Sequence, residues 1–349
     1  VKGSELLANG SPTLKDVAKL AGTSVATASV VLSDNLNKFV SEALRRQVLA
    51  AAHELQYRPN IPARRMKGKG GKFLAILVPQ FENIYFHRIV IGAENYANSL
   101  NYTLSIFSTH DQEEQELAFI DNLISLQVDG VLISPAVYHS RSIQLLQATK
   151  IPFVIVDRPV DTATGQDFVS LNYFDAGYRG AQLLLDSGHR RIAFLGWDHP
   201  IPTISERRKG FQQAIADAGI DPGQTLIWEG PNQGRAAYNA TLSLLNDRTI
   251  TAVFAGQHVI AEGIVQGLHD LNRQVPDDIS VLIFGNPLWA TITNPHYSCI
   301  AQPDLKIGEK AVELIIDLIE NPEHQKNQYL LNYDLFERES IRTLPPCKK

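Results

Sequence analysis

The sequence predicts a small all-α headpiece followed by an α/β body of two doubly wound lobes. Three observations carry this. Residues 13–56 show helical apolar spacing interrupted by a glycine turn, and from Phe73 onward short apolar runs alternate with helical stretches. Charge is also uneven. Residues 1–72 hold 12 Lys plus Arg against 5 Asp plus Glu, a net +7, whereas residues 73–349 hold 20 against 32, a net −12. A basic small domain on an acidic large one suits a polyanion partner for the former only.

In the headpiece, Leu14 to Ala21 places Leu14, Val17, Ala18 and Ala21 on one helical face, with Thr13 as the expected N-cap accepting from first-turn amides. Gly22 permits a tight turn, and Ser24 is placed to cap a second helix, Val25 to Leu32. A third helix, capped by Ser41 and running to Gln56, sets Leu44, Val48, Ala51, Ala52 and Leu55 against the first two. Two short helices around a glycine turn form a helix-turn-helix pattern. The bland alternative is a three-helix packing module with a basic tail.

Residues 67–72, KGKGGK, read as a linker: a phosphate loop needs Gly-Lys-Ser/Thr opening a helix, and here Phe73 begins a strand. Strand-like runs then fall at 73–79, 102–108, 130–134 and 153–157, with helical stretches at 85–100, 113–126 and 142–148 between them. A second series follows, with helices at 176–186, 206–218, 236–245 and 260–271 and strands at 191–197, 225–230, 252–256 and 280–285. Two such arrays imply two lobes with a ligand cleft at the carboxyl ends of the strands.

Composition excludes several classes. Apolar residues are 44% and charged residues 20%, and no apolar run reaches the ~20 residues of a membrane span. VKGSELLANGSP lacks a secretory pattern, so a cytoplasmic location is expected. Cys299 and Cys347 are the only cysteines, and no triad, carboxylate pair or metal-ligand spacing stands out. No enzyme, metal or cofactor is therefore expected.

The segments KDVAKLAGTSVATAS, VSEALRRQVLAAAHELQYRPN and ARRMK, in that order, resemble the headpiece of the LacI/GalR family of bacterial transcription regulators. VDGVLIS, IPFVIVDRP, GHRRIAFLGW, RRKGFQQA, VPDDISV and IAQPDLKIGEKAVELI continue the likeness to about Arg342. The resemblance implies a periplasmic-binding-protein-like core whose chain crosses between lobes near Leu171, near 300–302 and near 327–330. The expected divisions are a headpiece at 12–58 and a hinge helix and linker at 59–72. The amino-terminal lobe then takes 73–170 plus 302–328, and the carboxyl-terminal lobe 171–301 plus 329–343. RTLPPCKK carries no heptad helix, so a homodimer is expected rather than a tetramer.

The resemblance further implies that the second helix lies in the major groove of a pseudo-palindromic operator, presenting Val25, Ala26, Ser29, Val30 and Ser33, with Thr13, Ser24 and Thr27 near phosphates. These small side chains touch thymine methyls or make single hydrogen bonds; none makes the bidentate guanine contact of an arginine, which many relatives carry where Val30 stands. Residues 59–67 match the family's minor-groove hinge helix. Asn60, Ala63 and Arg64 would line the groove, Met66 would replace the usual leucine wedge, and Lys67 would add phosphate attraction.

For the cleft, the family's effector positions fall on Tyr85, Phe86, Ser134, Asp157, Arg207, Asn232, Gln257 and Gly285, with Asn286 beside the last. Tyr85 and Phe86 can stack on a ring or simply pack in the core, and Arg207 can hold an anion or pair with Glu206. This chain departs from the family at Gly285-Asn286 and Gln257-His258, and Asn172 replaces a common aspartate, so three acidic acceptors are missing together. The primary expectation is a repressor of a carbohydrate-use operon, with a sugar, phosphosugar or other anionic metabolite as effector. A nucleobase or other non-sugar ligand, a pocket without effector, and a binding protein without a DNA role remain open. Replacing the wedge, Met66→Gly, is expected to abolish most operator affinity while the core keeps its fold, checked by gel retardation and thermal unfolding.

Overall fold

The computed structural model describes residues 12–32, 40–57, 71–161, 165–321, 323, 325 and 327–345. It divides into two compact units, at 1–71 and 72–349. Of the expected DNA-contacting residues, Ser33, Asn60, Ala63, Arg64, Met66 and Lys67 lie outside the described residues.

The first unit contains α1 (Leu14–Leu20), α2 (Val25–Leu32) and α3 (Glu42–Glu54). Val17, Ala18, Ala28, Val31, Val48, Ala51, Ala52 and Leu55 form its core, with Leu44 half-buried beside them. Each fully buried aliphatic side chain contributes roughly 1.5–3 kcal/mol, which lets so short a chain hold a shape. Thr13 caps α1 as expected, in a capping box with Asp16: its side chain faces the Asp16 N–H, and its backbone N–H and hydroxyl donate to Asp16 Oδ2 at 2.8 and 2.7 Å. Gly22 has φ +63, and α3 stops two residues short of Gln56, which has φ +49.

The second unit is built on two six-stranded sheets. The first comprises β1 (Phe73–Val78), β2 (Thr103–Ser108), β3 (Gly130–Ile133), β4 (Phe153–Val156), β5 (Phe168–Leu171) and β11 (Gln328–Leu331), in the order β11-β5-β4-β3-β1-β2. The second comprises β6 (Ile192–Trp197), β7 (Leu226–Gly230), β8 (Ala252–Ala255), β9 (Ser280–Phe284), β10 (Ser298–Ala301) and β12 (Asp334–Phe336), in the order β12-β10-β9-β8-β6-β7. All pairings are parallel except β10 with β12. Helices α4 (Ile84–Ser99), α5 (Glu113–Ser125), α6 (Arg141–Ala148) and α11 (Asp304–Glu320) belong to the first lobe. Helices α7 (Tyr173–Asp186), α8 (Pro202–Asp217), α9 (Gly234–Leu244) and α10 (His258–Asp270) belong to the second. Because helices cover both faces, the central strands are buried on both sides and read as unbroken apolar runs. Among the described residues no helix is long and apolar enough to cross a membrane.

The third crossing differs from expectation. Residues 328–331 pair with β5 in the first sheet, so the chain leaves that lobe after Leu331 rather than at 328. The edge of β5 would otherwise expose its amides. Helix α8 begins at Pro202 instead of Glu206, with proline at a position whose amide has no intrahelical partner. Helix α7 begins at Tyr173, and the Asn172 side chain caps it by accepting from Asp175 N at 3.0 Å.

Close helix pairs aim the cleft residues. A Cβ on Gly177 of α7 would lie 2.1 Å from the Arg207 carbonyl oxygen of α8, and one on Gly210 of α8 would lie 2.0 Å from the Phe174 carbonyl. These glycines let the two backbones touch and so set where the Arg207 side chain starts. Gly177→Ala is expected to cost about 1–3 kcal/mol by overpacking, measured by urea unfolding, and to pull Arg207 off its aromatic neighbours.

Candidate functional site

On the headpiece, Ser24 Oγ accepts from Thr27 N at 3.1 Å and lies 2.9 Å from Thr27 Oγ1. This capping turns α2 so that Ala28 and Val31 enter the core while Ser24, Val25 and Ala26 are exposed and Thr27, Ser29 and Val30 are half-exposed. An apolar side chain with no packing role, such as Val25 at 41% exposure, is what a methyl-reading helix requires. Thr13 is exposed at the start of α1. The described part of the expected DNA surface is therefore one continuous helix face and its flanking cap.

Between the lobes, the site is assembled around one carboxylate. Asp157 follows β4 with φ +66, which turns its side chain into the cleft. Its Oδ1 accepts from the Tyr85 hydroxyl at 2.6 Å and from the Tyr173 hydroxyl, and the two hydroxyls lie 3.2 Å apart. Tyr85 opens α4 in one lobe and Tyr173 opens α7 in the other, so the triad ties the lobes together. Gln302, on the second crossing, donates to the Tyr173 hydroxyl at 3.2 Å. Burial and the adjacent Asp157 push both phenol pKa values up, so both remain donors.

Arg207 fills the slot next to this triad. Its guanidinium carbon lies 3.9 Å from the Phe284 ring centroid and 4.5 Å from that of Tyr173. It donates from Nη1 to the Gly256 carbonyl at 2.9 Å, while its buried Nε has no partner. Glu206 pairs with Lys209 at 2.6 Å, and no carboxylate among the described residues forms an ion pair with Arg207. A buried guanidinium held only by π faces and one carbonyl is incompletely satisfied. Asn232 Oδ1 and Gln257 Oε1, also at this cleft, are buried without partners. The remaining free volume in the slot is about 30 Å³, room for a water or two.

The structure thus brings Tyr85, Phe86, Asp157, Arg207, Asn232 and Gln257 to one cleft. Three expected members stand apart. Ser134 is fully buried behind the wall, and Asn286 Oδ1 accepts from Arg338 Nη2 at 3.1 Å and from Cys299 Sγ at 3.2 Å, beside a neighbouring cavity. Gly285 borders that cavity too, with φ +102, a conformation its missing side chain permits. Sequence reasoning missed Arg158, Thr203, His258 and Gln302, which also line the cleft. Arg158 was visible in the Asp157-Arg158-Pro159 run, and His258 in the Gln257-His258 departure. Burial, then the charge of Arg207, lowers the His258 pKa to about 4, so its imidazole is neutral at physiological pH.

Arg158 is braced from behind. It donates to Asp111 Oδ1 at 2.6 Å and to the Pro135 carbonyl at 3.2 Å. The adjoining Ala136 N–H donates to Glu116 Oε2 at 2.8 Å, and the Ser142 side chain lies against the same buried carboxyl. Burial raises the Glu116 pKa from 4.5 to about 7. Native protein therefore holds this proton where an unfolded glutamate has released it, so the group's effect on stability turns unfavourable as pH rises from about 4.5 through 7. Glu116→Gln is expected to melt close to the parent at pH 5. At pH 8 it should be more stable, by on the order of 3 kcal/mol, as read by urea titration.

The chain matches the model for bacterial regulatory proteins of the lacI family over residues 13–60, and the model for a periplasmic binding protein-like domain over 181–341. Over 336 residues it is 31% identical to the HTH-type transcriptional repressor PurR of Photobacterium profundum, covering 95% of this chain and 99% of that protein. PurR of Vibrio vulnificus is matched to the same extent. A LacI-family regulator from Enterococcus faecium, solved with bound ribose, superposes with a TM-score of 0.72 at 26% identity over 78% of this chain and all of its own. The lac repressor dimer bound to operator superposes with a TM-score of 0.84 over 95% of this chain and all of its own; at 23% identity that likeness concerns the fold. The helix-turn-helix headpiece, the two-lobed core and this full-length likeness to repressors place the chain in the LacI family of DNA-binding transcriptional repressors.

Proposed function

We propose that this repressor acts as a homodimer on a pseudo-palindromic operator and that its cleft takes a compact planar metabolite of the nucleobase class. The observation that carries the ligand reading is the Arg207 slot. A guanidinium lying 3.9 Å from the centre of one aromatic ring and 4.5 Å from that of another marks a flat space that a ring system fits by displacing it. Asn232 and Gln257 border that space with unpaired amide oxygens, and amides carry both donors and acceptors, as base edges do. A neutral sugar needs acceptors for its hydroxyl protons. Here the one carboxylate, Asp157, already accepts from two phenols and Gly285 offers none, which leaves the two amide oxygens as the unpaired acceptors in the slot. The likeness to repressors named PurR points the same way, so the carbohydrate expectation yields to the nucleobase alternative.

The second reading is an anionic sugar phosphate, favoured by the same buried Arg207 without a carboxylate partner. On the DNA side, Val25, Ala26, Ser29, Val30 and Ser33 would read methyl-rich major-groove edges, with Thr13, Ser24 and Thr27 near phosphates. Asn60, Ala63, Arg64, Met66 and Lys67 would enter the minor groove. Leu288 at 77% and Ile292 at 73% exposure leave an apolar patch on the carboxyl-terminal lobe suited to self-association. Ligand and operator are coupled through the lobe angle, because a ligand shifts the equilibrium only by its differential affinity for the two arrangements.

The test is thermal unfolding of the full chain against nucleobases, neutral sugars and sugar phosphates at millimolar concentration. A nucleobase with a Kd of about 10 µM should raise the midpoint by several degrees, and Arg207→Met should remove most of that shift. A shift with neutral sugars and none with nucleobases would sink the reading.

A further inference from the structure

The cleft continues past His258 into a second cavity of about 240 Å³, which shares Tyr85, His258 and Gln302 with the Arg207 slot. The two chambers differ in chemistry. The slot is aromatic and cationic, whereas the annex is bordered by Arg88, Asp304, Asp334 and Asn286. Gly285 borders the annex beside His258: a Cβ there would sit in ordinary contact, 3.5 Å, with both Cβ and Nδ1 of the imidazole that lines both chambers.

The polar groups in the annex are arranged for a polyol. Arg88 Nε donates to Asp304 Oδ2 at 2.7 Å, which fixes the Arg88 side chain and leaves its other guanidinium N–H groups as donors. The carboxylate of Asp334, on β12, makes no hydrogen bond or ion pair with the described residues, so it stands as an acceptor at the annex wall. His258 makes no hydrogen bond with them either, and with its pKa near 4 the imidazole presents one donor and one acceptor to both chambers. Carboxylate acceptors, scarce in the slot, are thus concentrated one chamber away. The space suits one sugar-sized ring and is below that of a drug-sized pocket.

We infer that the effector is a nucleoside, its base in the Arg207 slot and its ribosyl hydroxyls in the annex, where Asp334 accepts from them and His258 lines the passage between the two parts. This rests on the nucleobase reading above and deepens it.

The experiment is calorimetric titration of the full chain with matched pairs: adenine and adenosine, guanine and guanosine, cytosine and cytidine, uracil and uridine, with ribose alone as a control. At least one nucleoside is expected to bind about tenfold tighter than its own base, the gain of one or two net hydrogen bonds. In Asp334→Ala, an exposed position whose loss leaves the core intact, that ratio should fall towards one. If bases bind and no nucleoside binds tighter than its own base, or if Asp334→Ala does not alter the ratio, the annex is overturned while the nucleobase reading stays in place. Binding of ribose or other sugars with no base or nucleoside binding overturns both.

Discussion

At the cleft of this repressor, one carboxylate oxygen joins the two lobes. Asp157 Oδ1 takes a hydroxyl from Tyr85 in one lobe and another from Tyr173 in the other, and Gln302 on the second crossing joins them. Whatever enters the cleft must act on this junction, because the first residues of α4 and α7 are held by it. Its strength comes from burial. Two phenols and a carboxylate shielded from water interact far more strongly than the same groups at the surface, and separating them would leave polar groups unsatisfied. That gives the closed arrangement a defined energy and gives a ligand something to alter.

Around the junction, the cleft combines one well-satisfied network with several unsatisfied groups. Arg207 Nε, Asn232 Oδ1 and Gln257 Oε1 are buried without partners, although most buried polar atoms in folded proteins have one. The aromatic faces of Tyr173 and Phe284 hold the guanidinium in place without neutralising it. A ligand that offered an acceptor to Arg207 Nε and donors to the two amide oxygens would offset that desolvation. Behind it, the bond from Ala136 N–H to Glu116 steadies the loop carrying Pro135, whose carbonyl holds Arg158. The cleft wall is therefore coupled to a carboxyl that titrates near neutrality.

The headpiece follows a different logic. Its core is small, so its surface helix owes its orientation to a few contacts: Ala28 and Val31 turned inward, and Ser24 capping the first turn. Once those are set, Val25 and Ala26 face outward by the geometry of 3.6 residues per turn. The outward face of this helix is thereby set largely by Ala28 and Val31, which are buried in the headpiece core.

Much of this was legible in the sequence. Helical spacing around Gly22 specified the headpiece because periodicity and capping are local, and the alternation after Phe73 specified two α/β lobes because strands buried on both faces must be apolar throughout. Cleft members such as Asp157 and Arg207 were legible only through the resemblance to the family, residue by residue, and not through periodicity. What sequence could not decide depended on long-range pairing. Strand β11 joins the first sheet because β5 has an open edge, and that moves the last crossing beyond Leu331. Ser134 is sealed behind the wall, and Asn286 is turned towards Arg338 by packing from distant parts of the chain. Only the tertiary structure placed His258 over Gly285 and opened a second chamber there, because a cavity is made by what neighbouring elements leave unfilled, and no single segment encodes that space.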